Sequence, residues 1–252
     1  MTHRILVTRP AAQADDLAAL LRDRGLAPVM VPTVAIDAAS SAAELDAMLH
    51  TLGGASWLIL TSANGARALA ARLAENGHRL PAGLRVAAVG PATAEELRSS
   101  AIAVDHVPDE YLTVAIADGI GDVRGRRVVL ARADTATPDL RNALVGRGAV
   151  VEEVVAYRTV EGPAESRDPL RAALADDLAG IALTSGSTVR GLVRLASSAA
   201  RGRARSVPAF CIGPVTARTA RQYGFDVAAI AADHTALGLA EAIASRFGEE
   251  RR

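Results

Sequence analysis

The stretch WLILTSANG, residues 57–65, places a short apolar run directly before two hydroxyl side chains, an amide and a glycine. Four consecutive apolar residues bounded by turn-forming residues are typical of a buried parallel strand. The residues that follow, 66–73, have helical periodicity, so the polar residues should lie where the strand passes into a helix N-terminus. This strand–turn–helix order is the unit from which parallel α/β sheets are built.

A second copy of this pattern, GIALTSGS, occupies residues 180–187, and Thr61 and Thr184 are 123 positions apart. The same offset recurs without gaps, since Arg9 falls on Arg132 and Gly90-Pro91 falls on Gly213-Pro214. A period of this length indicates an internal duplication that gives two similar domains rather than a solenoid of short repeats.

Strand and helix patterns alternate through both repeats, which predicts a small doubly wound parallel sheet in each. Two longer extended runs occupy residues 27–36 and 150–160, and prolines in the first run favour an edge strand or a connector. A basic surface loop is expected at 201–206. The other predicted strands are 4–8, 58–60, 85–89, 103–107, 127–131, 181–183 and 209–212, and predicted helices include 42–52, 92–99, 112–120, 138–145, 170–178 and 236–247.

Composition limits the class of protein. Hydrophobic residues make up 50% of the 252 residues and aromatic residues only 3%, so alanine, valine and leucine must fill the cores. Arginine supplies every basic side chain, and 28 bases balance 28 acids, which argues against general nucleic-acid binding. The single Cys211 lies in an apolar run and is expected to be a core residue. We expect no signal peptide, no membrane span, a cytoplasmic location and a monomer.

Six predicted strand ends carry polar residues or glycine, and each leads into the N-terminus of a predicted helix. Ligands of open parallel sheets bind at this edge, where free backbone N–H groups favour an anion. Each residue alone is also an ordinary helix cap, but repetition in two repeats favours a cleft for an extended, negatively charged ligand. The candidate binding residues are Thr8, Arg9, Thr61, Ser62, Asn64, Gly90, Thr93, Arg132, Thr184, Ser185, Ser187, Gly213 and Thr216.

Other kinds of site lack their sequence signatures. The first strand is not followed by Gly-x-Gly-x-x-Gly, and a Walker-type loop is excluded because the chain has no lysine. The five histidines lack metal-ligand spacing, so neither a metal nor a cofactor is expected. Away from the strand ends, Tyr157 is the most notable polar residue, although a packed tyrosine is equally compatible with its extended run.

The chain resembles the uroporphyrinogen-III synthase family over nearly its whole length. No single motif is specific, but their order and spacing together carry the resemblance. The motifs are VTRP at 7–10, LTSANG at 60–65, AVGPATA at 88–94, VAYRT at 155–159, LTSGS at 183–187 and IGPVTA at 212–217.

The resemblance implies two flavodoxin-like α/β domains joined by two extended segments. In this sequence the first domain would comprise residues 1–33 and 162–252, and the second would comprise residues 37–158. Residues 28–36 and 151–161 would connect them. A simple cut near residue 123 is the competing arrangement.

The resemblance also implies a reaction. The family cyclises hydroxymethylbilane, a linear tetrapyrrole with eight carboxylates, to uroporphyrinogen III with loss of water and inversion of ring D. No cofactor is implied, the enzyme's main task would be orientation of the substrate, and Tyr157 matches the family's tyrosine as the candidate general acid. A transient contact with hydroxymethylbilane synthase, which makes the unstable substrate, is a further expectation.

The sequence is also compatible with two other functions. A non-catalytic two-domain protein could close on a polycarboxylate ligand with the same strand-end residues. A cofactor-dependent reductase is the second alternative, and the missing glycine fingerprint argues against it.

Overall fold

The computed structural model describes residues 2–110 and 114–248, and these divide into two compact units. Unit 1 contains residues 2–35 and 160–248, and unit 2 contains residues 36–110 and 114–159. Residue 123, where a simple cut between the repeats would fall, therefore lies inside unit 2.

Strands and helices alternate through most of the described chain. The strands are β1 (Arg4–Val7), β2 (Ala27–Met30), β3 (Val34–Asp37), β4 (Trp57–Leu60), β5 (Arg85–Ala88), β6 (Arg127–Ala133), β7 (Val150–Glu161), β8 (Gly180–Leu183), β9 (Ala209–Cys211) and β10 (Val227–Ile230). The helices are α1 (Asp15–Asp23), α2 (Ala42–Thr51), α3 (Ala63–Asn76), α4 (Pro91–Ser99), α5 (Ala115–Gly119), α6 (Asp139–Gly146), α7 (Arg167–Ala175), α8 (Gly186–Leu195), α9 (Ser198–Ser206), α10 (Pro214–Gln222) and α11 (Ala236–Gly248). Short 3-10 helices precede α1, α2 and α7 at Ala11–Gln13, Ala39–Ser41 and Ala164–Ser166.

The sheet of unit 1 has the order β2-β1-β8-β9-β10, and each neighbouring pair is parallel. Numbered within the unit, this is the flavodoxin-like order 2-1-3-4-5. The strand order reverses between β1 and β8, which makes the carboxyl ends of these two strands the topological switch point of the unit. Strand β2, which contains Pro28, lies at the edge as its proline predicts.

The sheet of unit 2 has the order β3-β7-β6-β4-β5, with parallel pairing of β7 to β6, β6 to β4 and β4 to β5. Strands β6, β7 and β4 hold the places that β1, β2 and β8 hold in unit 1. Each is 123 positions from its counterpart at its first residue. The switch point of unit 2 therefore lies between β6 and β4.

Helices cover both faces of each sheet, which confirms the α/β fold class. In unit 1, Leu6 and Leu183 face the core under α7, α8 and α10, while Ile5 and Val7 face α1 and α11. In unit 2, Leu58 and Leu60 face α2, α3 and α4, and the opposite face packs on α5 and α6. Within the described residues, no helix has the length and apolar character needed to cross a bilayer.

Several predicted elements differ from the observed ones. The extended run 27–36 is two strands in different sheets, because the chain leaves β2 before it enters β3. The predicted basic loop 201–206 is wrong, since these residues form the C-terminal part of α9, whose N-terminus is capped by Ser197. The predicted strand 103–107 contributes only an isolated bridge between His106 and Ala87. Of the predicted helix 112–120, residues 112 and 113 lie outside the described residues and α5 covers Ala115–Gly119.

An ion pair joins α2 to α3 in unit 2, and it involves a carboxyl group whose pKa is lowered. Arg72 Nε donates to Asp46 Oδ1 at 2.8 Å, and Asn76 Nδ2 donates to the same oxygen at 2.7 Å. Hydrogen bonding to Arg72, and then to Asn76, holds the pKa of Asp46 below its ordinary value of 3.8. Because the folded-state pKa is the lower one, the contribution of this ion pair to stability is present well above pH 3.8 and is lost as pH falls through the folded pKa.

We therefore expect Asp46→Asn to lower the free energy of unfolding at pH 7. We also expect this free energy to fall less in the variant than in the parent chain when the pH is lowered from 5 to about 3. Urea unfolding of both proteins at pH 7 and near pH 3 checks this. Asp177→Asn is the matched control, because Asp177 is exposed and makes no ion pair within the described chain. Equal acid sensitivity of Asp46→Asn and the parent chain would contradict the assignment.

Candidate functional site

The carboxyl edge of each sheet carries the hydroxyl-rich turns that the repeats predict. In unit 2, Ser62 caps α3, because its Oγ accepts a hydrogen bond from Gly65 N at 3.1 Å. Thr61 is half-buried, and its hydroxyl has no hydrogen-bond partner among the described residues. Asn64 Oδ1 accepts from Arg67 at 3.5 Å. The turn thus combines one capping hydroxyl with one hydroxyl that remains available.

The equivalent turn in unit 1 has the same division of roles. Ser185 caps α8 in a capping box, accepting from Thr188 N at 3.2 Å while Thr188 Oγ1 accepts from Ser185 N at 3.2 Å. The hydroxyls of Ser185 and Ser187 lie 2.8 Å apart. Thr184 is half-buried and, like Thr61, has no hydrogen-bond partner for its hydroxyl within the described chain.

A Gly-Pro turn follows the next strand of each sheet. Gly90 and Gly213 are the N-caps of α4 and α10 in extended conformation, and neither helix has a side-chain cap. The first-turn N–H groups therefore need another acceptor, which water or a bound anion can supply. Thr93 and Thr216, in these first turns, are only 4% and 5% exposed, and neither hydroxyl has a partner in the described chain.

Tyr157 lies in β7 beside the switch point of unit 2. It is paired in register with Ala133, the last residue of β6, and its ring belongs to the core under α3. A Cβ at Gly65, in the first turn of α3, would lie 3.7 Å from the neighbouring Ala156. Tyr157 is 7% exposed, and its hydroxyl has no hydrogen-bond partner among the described residues. Tyr157 therefore has a ring packed in the core and a hydroxyl that is available to a ligand.

The two arginines that the repeats pair are not equivalent. Arg9 follows β1 and forms an exposed ion pair with Asp16 at 3.1 Å. Arg132 lies inside β6, is 6% exposed, and pairs with Glu153 Oε1 at 3.2 Å while it donates to the carbonyl of Thr137. Each arginine thus has a carboxylate partner within its own unit, and the substrate-binding role of Arg9 and Arg132 stays a prediction.

Thr8 does not face the edge. It is fully buried, and its hydroxyl donates to the carbonyl of Ala182 at 2.7 Å, which joins β1 to β8 at the switch point. Thr33, which sequence reasoning missed, is also fully buried. Its hydroxyl donates to the carbonyl of Thr188 at 2.8 Å, and the carbonyl of Thr8 lies 3.2 Å from the same oxygen. These hydroxyls stabilise the turn region, and the binding role expected of Thr8 stays a prediction.

The remaining residues form two edges of one chemical character. Each edge offers hydroxyl donors without partners and the N-termini of two helices, one of them uncapped by a side chain. Such groups bind carboxylates and place them without a metal ion. The fold and the two edges define a class of protein: an α/β protein of two flavodoxin-like units whose strand ends carry helix N-termini and hydroxyls without described partners.

Comparisons with known proteins identify the family. A family model described as uroporphyrinogen-III synthase HemD matches residues 15–241. The chain is 32% identical to a uroporphyrinogen-III synthase of Synechococcus elongatus over 249 residues, covering 95% of this chain and 93% of that protein. The chain therefore belongs to the uroporphyrinogen-III synthase family.

Solved structures support the fold. A mutant uroporphyrinogen III synthase of Thermus thermophilus superimposes with a TM-score of 0.63 at 22% identity, covering 100% of this chain and 98% of that one. A uroporphyrinogen-III synthetase of Helicobacter pylori gives a TM-score of 0.58 at 14% identity and 100% coverage of both chains.

Proposed function

We propose that this protein cyclises hydroxymethylbilane to uroporphyrinogen III, with loss of water and inversion of ring D, in tetrapyrrole biosynthesis. Membership of the family supports the reaction. The observation in the structure that carries it is the set of hydroxyls without partners at the strand ends, namely those of Thr61, Thr93, Thr184 and Thr216. They stand beside helix N-termini, where the carboxylates of a linear tetrapyrrole find donors.

The cyclisation requires the protein mainly to orient the substrate. Loss of the substrate hydroxyl gives a stabilised azafulvene cation, and closure to the unrearranged isomer proceeds without an enzyme. The protein must hold the chain so that attack occurs at the substituted carbon of ring D, which gives a spiro intermediate. Protonation of the departing hydroxyl is the general-acid step, and the uncommitted phenol of Tyr157 is our candidate for it. On this account the enzyme is a lyase that uses no cofactor.

The substrate-binding residues divide by their observed contacts. Hydroxyls without partners and uncapped helix N-termini would bind carboxylates directly, whereas capping hydroxyls would hold the turns in shape. The first group is Thr61, Gly90, Thr93, Thr184, Gly213 and Thr216, and the second is Ser62 and Ser185. Ser187, bonded to the Ser185 hydroxyl, and Arg9 and Asn64 would contribute from the same edges.

The remaining expectations are part of the proposal. We propose a monomeric cytoplasmic enzyme that receives its unstable substrate through transient contact with hydroxymethylbilane synthase. A non-catalytic polycarboxylate-binding protein is the competing function, since the same edges would serve it, but family membership favours the synthase.

A coupled assay tests the proposal. Hydroxymethylbilane is generated in place with and without the protein, and the oxidised products are separated by isomer. We expect predominantly the type III isomer with the protein and the type I isomer without it. Type I product alone, formed at the uncatalysed rate in the presence of folded protein, would exclude the synthase and leave the polycarboxylate-binding function.

A further inference from the structure

His234 lies at the carboxyl edge of unit 1, in the connection from β10 to α11, and the function proposed above does not use it. Its ring covers the N-cap of α10: a Cβ at Gly213 would lie 3.3–3.5 Å from three atoms of the imidazole. An alanine at position 213 would therefore be in close van der Waals contact with this ring. His234 is exposed, and its nitrogens have no hydrogen-bond or ion-pair partner among the described residues.

Two helices begin beside this ring. Thr235, the next residue, caps α11 by accepting from Gly238 N at 3.0 Å, and its carbonyl accepts from Leu239 N. The other helix, α10, has no side-chain cap. The imidazole thus stands where two sets of first-turn N–H groups create positive potential.

A threonine of the same helix turn has a hydroxyl without a described hydrogen-bond partner. Thr216 in the first turn of α10 is 5% exposed, yet its oxygen is neither bonded within the described chain nor fully enclosed. Because the Cα–Cβ bond of a helical residue tilts towards the helix N-terminus, the Thr216 side chain leans towards the end that His234 covers. The Thr216 hydroxyl, the uncapped N–H groups of α10 and an imidazole N–H are all hydrogen-bond donors. A carboxylate, which has two acceptor oxygens, can accept from all of them.

We propose that His234 is a substrate-positioning residue: its imidazole donates a hydrogen bond to one carboxylate of the substrate, which the α10 N-terminus and Thr216 bind from the other side. The inference rests on the proposed function, because it assigns one subsite of that reaction's polycarboxylate substrate. His234 acts in binding and takes no proton from the reacting ring.

Steady-state kinetics of His234→Ala and His234→Gln with hydroxymethylbilane test this. We expect His234→Ala to raise KM about three- to tenfold, the usual effect of one such hydrogen bond, with kcat within about twofold. His234→Gln should recover most of the loss, since an amide also donates to a carboxylate. His50→Ala, which removes an exposed histidine of unit 2, should leave both constants unchanged.

The outcomes separate this inference from the proposed function. An unchanged KM in His234→Ala, with type III product still formed, would overturn the role of His234 alone. Equal losses in the alanine and glutamine variants, accompanied by a lower free energy of unfolding, would show that the ring only packs on Gly213. Should the parent chain give no type III product, calorimetric titration with uroporphyrinogen III decides. Weaker binding by His234→Ala then supports the subsite, whereas equal binding or none overturns it.

Discussion

Replacing Tyr157 with phenylalanine should lower kcat about a hundredfold, the usual cost of removing a general acid. Because the Tyr157 hydroxyl has no partner in the described chain, its loss breaks no internal hydrogen bond. The ring remains in the core under α3, so the free energy of unfolding should stay within about 0.5 kcal/mol of the parent value. The measurement is steady-state turnover of hydroxymethylbilane beside urea unfolding of the same preparations.

Tyr223→Phe is the matched control. Tyr223 also packs with its ring partly buried and its hydroxyl without a described partner, but it ends α10 in unit 1, away from the strand ends. Its substitution should leave kcat and the isomer ratio unchanged. A normal kcat in Tyr157→Phe would assign catalysis to orientation of the substrate alone and overturn the general-acid role of Tyr157.

Replacing Gly191 with alanine should destabilise the protein by about 3 kcal/mol, at the upper end of what overpacking costs. A Cβ at Gly191 would lie 1.9 Å from the carbonyl oxygen of Thr33 and 3.1 Å from the nitrogen of Gly162. Both contacts are with backbone, which cannot move aside as a flexible side chain would. The same carbonyl accepts a hydrogen bond from Gly162 N at 2.9 Å, so displacing Thr33 would also weaken that bond.

Gly202→Ala provides the comparison within the same unit. Gly202 lies in α9, and a Cβ there meets nothing within 4 Å. Alanine at this helical position should stabilise the protein by about 0.5–1 kcal/mol. Chemical unfolding of both variants measures the contrast. An unfolding free energy for Gly191→Ala equal to that of the parent chain would show that α8 can move away from Thr33 without cost.

Local sequence patterns predicted the features that depend on neighbouring residues. The apolar run before Thr61, the caps at Ser62 and Ser185 and the Gly-Pro turns all follow from a few consecutive residues, and the structure has them where the repeats place them. The α/β class also followed, since strand and helix patterns alternate along the chain. What these turns bind is not visible in such patterns, and the binding assignments stay predictions.

Features that depend on distant residues were not predictable. Arg9 and Arg132 occupy the same position of the repeat, but only Arg132 faces a glutamate from the adjacent strand. Thr33 has no distinctive sequence context, because its main partner, the carbonyl of Thr188, is 155 residues away. The basic segment of α9 has no pattern of large apolar residues that would predict a helix. The helix is stabilised by its Ser197 cap and by the burial of Ala200 and Ala204.

The pairing of β1 with β8 has a consequence for folding of the chain during its synthesis on the ribosome. Strand β1 is translated first, yet its neighbour β8 begins only at Gly180. All of unit 2 is synthesised in the interval, so it can reach its native state while the apolar strand of Ile5, Leu6 and Val7 still lacks one edge partner. The nascent chain therefore carries an open, aggregation-prone strand edge until the last third of translation, and closure of this long loop is the step at which a chaperone would be of most use.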